Sequence, residues 1–175
     1  MIDQQLRSAI RDIPDFPEPG IIFKDITPIL KDPGLCASIV DQLAAKLPAD
    51  SIDVVAGVES RGFLFGLMLA QRLGKPFVPI RKQGKLPYRT VRQEYALEYG
   101  KATIEIHEDA FERGARVLVH DDLLATGGTV SAASELIERL GGKIAGYAFV
   151  ISLDFLHGRE RLMAHGPNII SLVNY

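Results

Sequence analysis

The alternation of apolar strands, glycine-bounded helices and polar turns predicts an α/β fold with a mostly parallel central sheet flanked by helices and a small N-terminal flap. Two repeats of one pattern carry that prediction. Residues 52–58 form a β-branched run, 63–73 an apolar helix ended by Gly74, and 76–80 a second strand. Strand, helix and strand in that order give a parallel pair with a right-handed crossover. The pattern returns at 116–120, 130–140 and 144–153. The composition, 47% hydrophobic and 24% charged, is that of an ordinary globular domain.

Leu6 and Ile10 stand at helical spacing and predict a short helix over 4–11. Three prolines between Ile13 and Gly20 then remove amide donors and fix φ, which ends it. Residues 21–30 mix apolar side chains with Lys24, Asp25 and Pro28, predicting an irregular flap before a helix over 33–47. After the first parallel unit, residues 81–94 are polar and basic, contain Gly84 and Pro87, and predict a mobile loop. Residues 95–99 and 103–107 flank Gly100-Lys101 as a hairpin. The second unit passes from 116–120 through an acidic turn to its helix, which Gly141-Gly142 stops, and 168–173 supply a last short strand. No repeat, low-complexity tract or linker divides the 175 residues, so one domain is expected over 1–175. Within it, 1–34 form the N-terminal helix and flap, and 82–96 the mobile loop.

A formal charge of −2 argues against a protein that wraps duplex nucleic acid, although Arg81, Lys82, Lys85 and Arg89 form a local basic patch. Cys36 is the only cysteine, which excludes an intrachain disulfide and leaves a small, partly buried helical side chain. The apolar run 62–70 is too short for a membrane span, and no basic segment precedes an apolar run at the start of the chain. A cytoplasmic protein without nucleic-acid or membrane partners is the expectation.

Residues 117–129, VLVHDDLLATGGT, carry the chemistry. Thr126, Gly127, Gly128 and Thr129 precede a helix, so free amides and the positive helix end converge on one spot, where a phosphate monoester fits. Ala125 leads into that loop. Asp121 and Asp122 sit just upstream, and two carboxylates beside a phosphate cradle need a neutral or cationic group between them. Ribose hydroxyls and a divalent cation both answer that need. Taken alone, TGGT also describes a threonine-capped glycine turn beside solvated acids. Neither GxxxxGK[ST] nor GxGxxG is present there.

This segment resembles the phosphoribosyl pyrophosphate motif of the type I phosphoribosyltransferases. Further likeness to the adenine branch of that family covers nearly the whole chain, through 16–28 (FPEPGIIFKDITP), 57–66 (GVESRGFLFG), 81–87 (RKQGKLP) and 97–100 (LEYG). One departure is His120, where the family usually has an aliphatic residue; it reads as a core histidine or as a contact to the acids.

The resemblance implies a type I phosphoribosyltransferase fold, with the 1–34 flap recognising the base and the 82–96 loop closing for catalysis. It implies a transfer from phosphoribosyl pyrophosphate to adenine, giving AMP and pyrophosphate. Glu59, Ser60 and Arg61 match the pyrophosphate loop, in which the family often has a cis peptide at the acid-serine step. Arg81, Lys82 and Lys85 match cations that neutralise the phosphates, and Arg81 matches an arginine that reaches a neighbouring subunit, which implies a homodimer. Glu98 by itself reads as a strand glutamate facing water, yet it matches the family's acid/base at the purine N7, where nearby aromatics raise a carboxyl pKa by desolvation. Ile22, Phe23 and Lys24 match the base-recognition segment: Phe23 offers a stacking platform, and backbone groups at Ile22 and Lys24 read the base edge, with Tyr99 nearby. A backbone carbonyl there would favour the exocyclic amino group of adenine over a purine carbonyl. Mg²⁺ is the implied cofactor, carried on the diphosphate, with Asp121 and Asp122 reaching it through water. The residues leave two other readings open: a different purine base, and a non-catalytic sensor of phosphoribosyl pyrophosphate.

Overall fold

The computed structural model describes residues 1–97, 100–166 and 168–175. Helix α1 (Ile2–Ala9) leads into two short antiparallel strands, β1 (Arg11–Pro14) and β2 (Ile22–Asp25), which form a sheet of their own. Helix α2 (Pro33–Lys46) follows. Its start is fixed by Asp32, whose carboxylate accepts from the Leu35 amide at 3.0 Å, and by Pro33 in the first turn. Then come β3 (Val54–Val58), α3 (Gly62–Leu73), β4 (Phe77–Lys82), β5 (Thr90–Ala96), β6 (Lys101–His107) and β7 (Arg116–Leu124). Helix α4 (Gly128–Arg139), β8 (Lys143–Ser152), α5 (Gly158–Leu162) and β9 (Ile169–Asn174) complete the chain.

Seven strands form the main sheet in the order β5-β6-β4-β3-β7-β8-β9. The β4-β3-β7-β8-β9 portion is parallel throughout, and the β5-β6 arm is antiparallel to the edge of β4. Strand alternation divides the interior into two cores. Val55, Leu118 and Ala148 face α1, α2 and α3, through Leu6, Ile39, Leu43, Phe65 and Leu69. Val54, Ala56, Val117, Val119 and Phe149 face α4, through Val130, Ala133, Leu136 and Ile137. Helices thus cover both sheet faces, and the α/β expectation holds.

Three local readings differ from the structure. The flap is not wholly irregular, because Arg11 to Pro14 pair with Ile22 to Asp25 around the proline-rich turn. Proline in a two-stranded edge ribbon loses only outward-facing donors. Strand β5 already begins at Thr90, inside the segment read as a loop, since seven consecutive pairs to β6 satisfy its backbone and Val91 and Tyr95 pack on the core. The acids do not lie in a turn: β7 continues through them to Leu124, with Asp121 opposite Phe149 and Leu124 opposite Ser152.

Close backbone approach puts β3, α3 and β7 in register at the site. A Cβ on Gly62 would stand 2.8 Å from the His120 carbonyl oxygen and 3.2 Å from the Asp121 Cα, so this turn admits no side chain. Gly62→Ala must therefore displace backbone. We expect a loss of about 1–3 kcal/mol in chemical denaturation, and unchanged stability would show that the turn can yield freely.

Candidate active site

The site lies beyond the carboxyl ends of β3 and β7, where open parallel sheets place their ligands. The loop from β7 into α4 turns through Gly127, whose φ of 77° belongs to the left-handed region open to glycine, and α4 begins at Gly128. Asp121, Leu123 to Thr129 and Val130 line a cleft of about 90 Å³ there. Free amides at the start of a 12-residue helix converge on this cleft. The Thr129 hydroxyl donates to the Tyr95 hydroxyl at 3.2 Å, which ties the β5 arm to the loop.

Alternation along β7 separates the two acids. Asp121 is partly buried and lines the loop cleft, whereas Asp122 is 1% exposed. The Arg61 Nε lies 3.3 Å from Asp122 Oδ2, an ion-pair distance without hydrogen-bond geometry. The Asp122 amide donates to Asp121 Oδ1 at 2.9 Å. Burial, reinforced by the charge of Asp122, raises the Asp121 pKa well above the usual carboxylate range. Burial raises that of Asp122 too, against the opposing pull of Arg61. The pair is thus under-compensated and suited to a partner that brings donors or positive charge.

The flap meets this pair through Arg61, whose guanidinium carbon lies 4.9 Å from the Phe23 ring centroid. Phe16 braces Phe23 edge-on at 5.2 Å between centroids. Ile22 is exposed beside them. The Lys24 side chain turns elsewhere: its Nζ pairs with Asp12 at 2.7 Å and lies over the Tyr175 ring. Only its backbone is left for a flap ligand.

The Glu59–Ser60 peptide is cis. Glu59 accepts from Arg81 Nε and Nη2, each at 3.2 Å, and from the Lys82 amide at 2.8 Å. Burial opposes ionisation there, but Arg81 and that amide hold the Glu59 carboxyl below its usual range. Arg81 is thereby occupied within its own chain, and its Nη1 also donates to the Lys85 carbonyl at 3.2 Å. Glu98 and Tyr99 lie outside the described residues; beside them in the chain, the Leu97 amide donates to the Gly100 carbonyl at 3.0 Å.

Among the described residues no three His, Cys, Asp or Glu side chains gather at metal-binding distance. A fully protein-held ion is therefore not built from them. One unpartnered Asp122 oxygen and an acid at the cleft do fit an ion carried in by a substrate and met through water. His120 is wholly buried, neither ring nitrogen has a hydrogen-bond partner among the described residues, and a Cβ on Gly66 would stand 3.3 Å from its Cδ2. Burial pushes its pKa down to about 4, so it is a neutral core side chain. A larger groove, about 720 Å³ between α1 and α2, is lined mainly by Gln4, Gln5, Ser8, Asp32 and Ser38 and has no such convergence of charge.

Glu105 was not among the residues singled out, although a carboxylate between Ile104 and Ile106 on a strand was a signal. It is fully buried and accepts from the Lys85 and Leu86 amides at 3.0 and 2.9 Å and from Arg92 Nε at 3.2 Å. Glu105 therefore shapes the turn that carries Lys85.

A parallel sheet whose central strand ends in paired acids and a glycine loop defines a phosphate-binding α/β protein. The phosphoribosyl transferase domain model matches residues 29–166. The adenine phosphoribosyltransferase of Cytophaga hutchinsonii is 56% identical over 175 residues, covering 100% of this chain and 97% of that protein. The crystal structure of adenine phosphoribosyltransferase from Thermoanaerobacter pseudethanolicus superposes with a TM-score of 0.95 at 49% identity, covering 100% of both chains. The Saccharomyces cerevisiae enzyme, crystallised with adenine and an imino-altritol bisphosphate, has a TM-score of 0.90 at 42% identity, over 98% of each chain. The chain belongs to the type I phosphoribosyltransferase family, in its adenine phosphoribosyltransferase branch.

For Glu105, burial would raise the pKa, but the amides of Leu86, Gly84 and Lys85 and the Arg92 guanidinium outweigh it and hold the carboxyl below its usual value. A depressed folded pKa stabilises the protein above the unfolded value of about 4.3, and that gain is lost as pH falls through the folded pKa. Glu105→Gln should therefore be less stable than the wild type at pH 7, with the gap narrowing below about pH 4. Denaturation curves showing a pH-independent gap would contradict this.

Proposed function

We propose that the protein transfers the 5-phosphoribosyl group of phosphoribosyl pyrophosphate to adenine, giving AMP and pyrophosphate, as a cytoplasmic purine-salvage enzyme. The β7 strand, which ends in two under-compensated acids beside a phosphate loop, is the observation that carries this reading. Full-length likeness to proteins named adenine phosphoribosyltransferase supports the choice of base.

The 5-phosphate occupies the loop formed by Ala125, Thr126, Gly127, Gly128 and Thr129, held by amides and threonine hydroxyls. Asp121 and Asp122 accept from the ribose hydroxyls. The diphosphate meets the Glu59–Ser60 backbone and Arg61, with Lys82 and Lys85 adding charge from the neighbouring turn. Asp121 and Asp122 would meet a Mg²⁺ carried by the diphosphate through water, and the ion would supply charge neutralisation for the leaving group. Adenine stacks on Phe23, with the backbone of Ile22 and Lys24 at its edge and Tyr99 as a further contact to the base.

Adenine N9 attacks C1′ while the bond from C1′ to the diphosphate oxygen breaks, and the electron pair leaves with pyrophosphate. Glu98 accepts the N7 proton as N9 becomes bonded to the sugar. Asp121 and Asp122 offset positive charge on the ring, and Arg61 and Lys85 the negative charge on the leaving group. Residues 83–89, the turn between β4 and β5, close over the site and exclude water, the competing nucleophile.

We further propose a homodimer. Leu64, Leu67 and Met68 expose an apolar face on α3, next to the Glu59–Arg61 turn, of the kind that marks an interface. On assembly Arg81 would exchange part of its Glu59 pairing for the neighbouring site. Sedimentation should give twice the chain mass, with Leu67→Glu shifting it to one; a monomeric wild type would sink the proposal.

The decisive assay is AMP formation from adenine and phosphoribosyl pyrophosphate, with and without Mg²⁺. Turnover should vanish on chelation, and guanine or hypoxanthine should turn over far more slowly. Faster turnover of guanine would overturn the base assignment, and donor binding without turnover of any base would favour a sensor. Glu98→Leu should lower kcat by roughly 10²–10⁴-fold while sparing donor binding. A normal kcat would remove Glu98 from the proton transfer.

A further inference from the structure

We infer that Arg161, delivered by α5, is a binding residue for the monophosphate of the substrate and product. The inference rests on the functional reading above only in taking the 125–129 loop as the monophosphate subsite.

Helix α5 docks on that loop backbone to backbone. A Cβ on Gly158 would run into the Ala125 carbonyl and stand 2.9 Å from the Leu124 side chain. A Cβ on Gly127 would stand 2.9 Å from the Gly158 carbonyl. Two glycines facing each other thus bring the start of α5 against the cradle. Arg161 follows Gly158 by three residues, on the same face of the helix. Its Nη1 stands 3.1 Å from the point where a Cβ on Gly128 would be, and the Thr126 hydroxyl oxygen is 3.9 Å from that point.

The guanidinium is available for an anion. Arg161 is exposed and, among the described residues, enters no hydrogen bond or ion pair. Arg159, two positions earlier, is committed: it donates to the Ile169 carbonyl at 3.2 Å and to the Ser171 hydroxyl, and pairs with Asp154. One arginine of α5 holds the helix to the sheet, and the other is left over Gly128. A dianionic monophosphate in the cradle neutralises it, and the planar fork matches two phosphate oxygens. Amides and threonine hydroxyls position the same phosphate but carry no full charge, so Arg161 supplies the missing counter-charge.

The test uses full-length wild type, Arg161→Ala and Arg161→Lys, with AMP as the probe because it carries the monophosphate and no diphosphate. Calorimetry should show the Kd for AMP rising about ten-fold in Arg161→Ala, the scale of one charge-assisted hydrogen bond. Arg161→Lys should recover most of that loss. In turnover, the effect should fall on the KM for phosphoribosyl pyrophosphate, with the KM for adenine and kcat far less affected. An unchanged Kd for AMP in Arg161→Ala overturns the inference, as does an equal loss in Arg161→Lys, which would mean packing rather than charge. Failure of the wild type to make AMP from adenine would defeat the functional reading instead, and the AMP titrations would still decide on Arg161.

Discussion

Asp122 carries a carboxylate into an interior where only 2% of its side chain meets solvent, and among the described residues the Arg61 guanidinium 3.3 Å away is its one ion-pair partner. An ion of this kind costs several kcal/mol to desolvate in the absence of its partner. The requirement fixes a chain of positions. Arg61 must leave the β3–α3 turn toward β7, so the turn must approach closely, and Gly62 permits it. Phe23 then lies against the other side of the guanidinium, which anchors the flap. One buried charge therefore ties strand, turn and flap together.

The same economy governs the phosphate side. Peptide amides can reach an anion only where no side chain intervenes, and the loop before α4 meets that condition with Gly127 and Gly128. Gly158 extends it to the second layer, letting α5 lie directly on Ala125. Around this rigid pairing the contacts are polar and adjustable, from Thr129 to Tyr95 and from Glu105 to the Lys85 turn. Backbone geometry sets the shape of the site, and side chains set its charge. A buried His120 between these layers stays neutral, because burial disfavours the proton more than the Ala148 backbone favours it.

Most of the architecture was legible in the residues. Strands such as 52–58 and 116–120 are apolar because both faces of a parallel sheet are covered, and glycines mark where helices stop. The acids and TGGT were legible as a candidate donor site, because amides at a helix start and adjacent carboxylates are a local arrangement. Less legible was the β5 arm, whose polar residues read as loop. Its strand exists through pairing with β6, a partner that composition does not reveal. Glu105 was hidden for a related reason: its significance lies in amides twenty residues away in sequence.

Local periodicity and turn chemistry, written residue by residue, were thus enough to determine the α/β class and the place of the glycine loop and the acid pair. Tertiary structure decided how those parts divide their work. Alternation along β7 turned Asp122 inward to Arg61 and Asp121 toward the cleft, although the sequence presents them as equals. It also turned Lys24 to Asp12 and Arg81 to Glu59. Such pairings depend on distances between segments far apart in the chain, which no local pattern encodes.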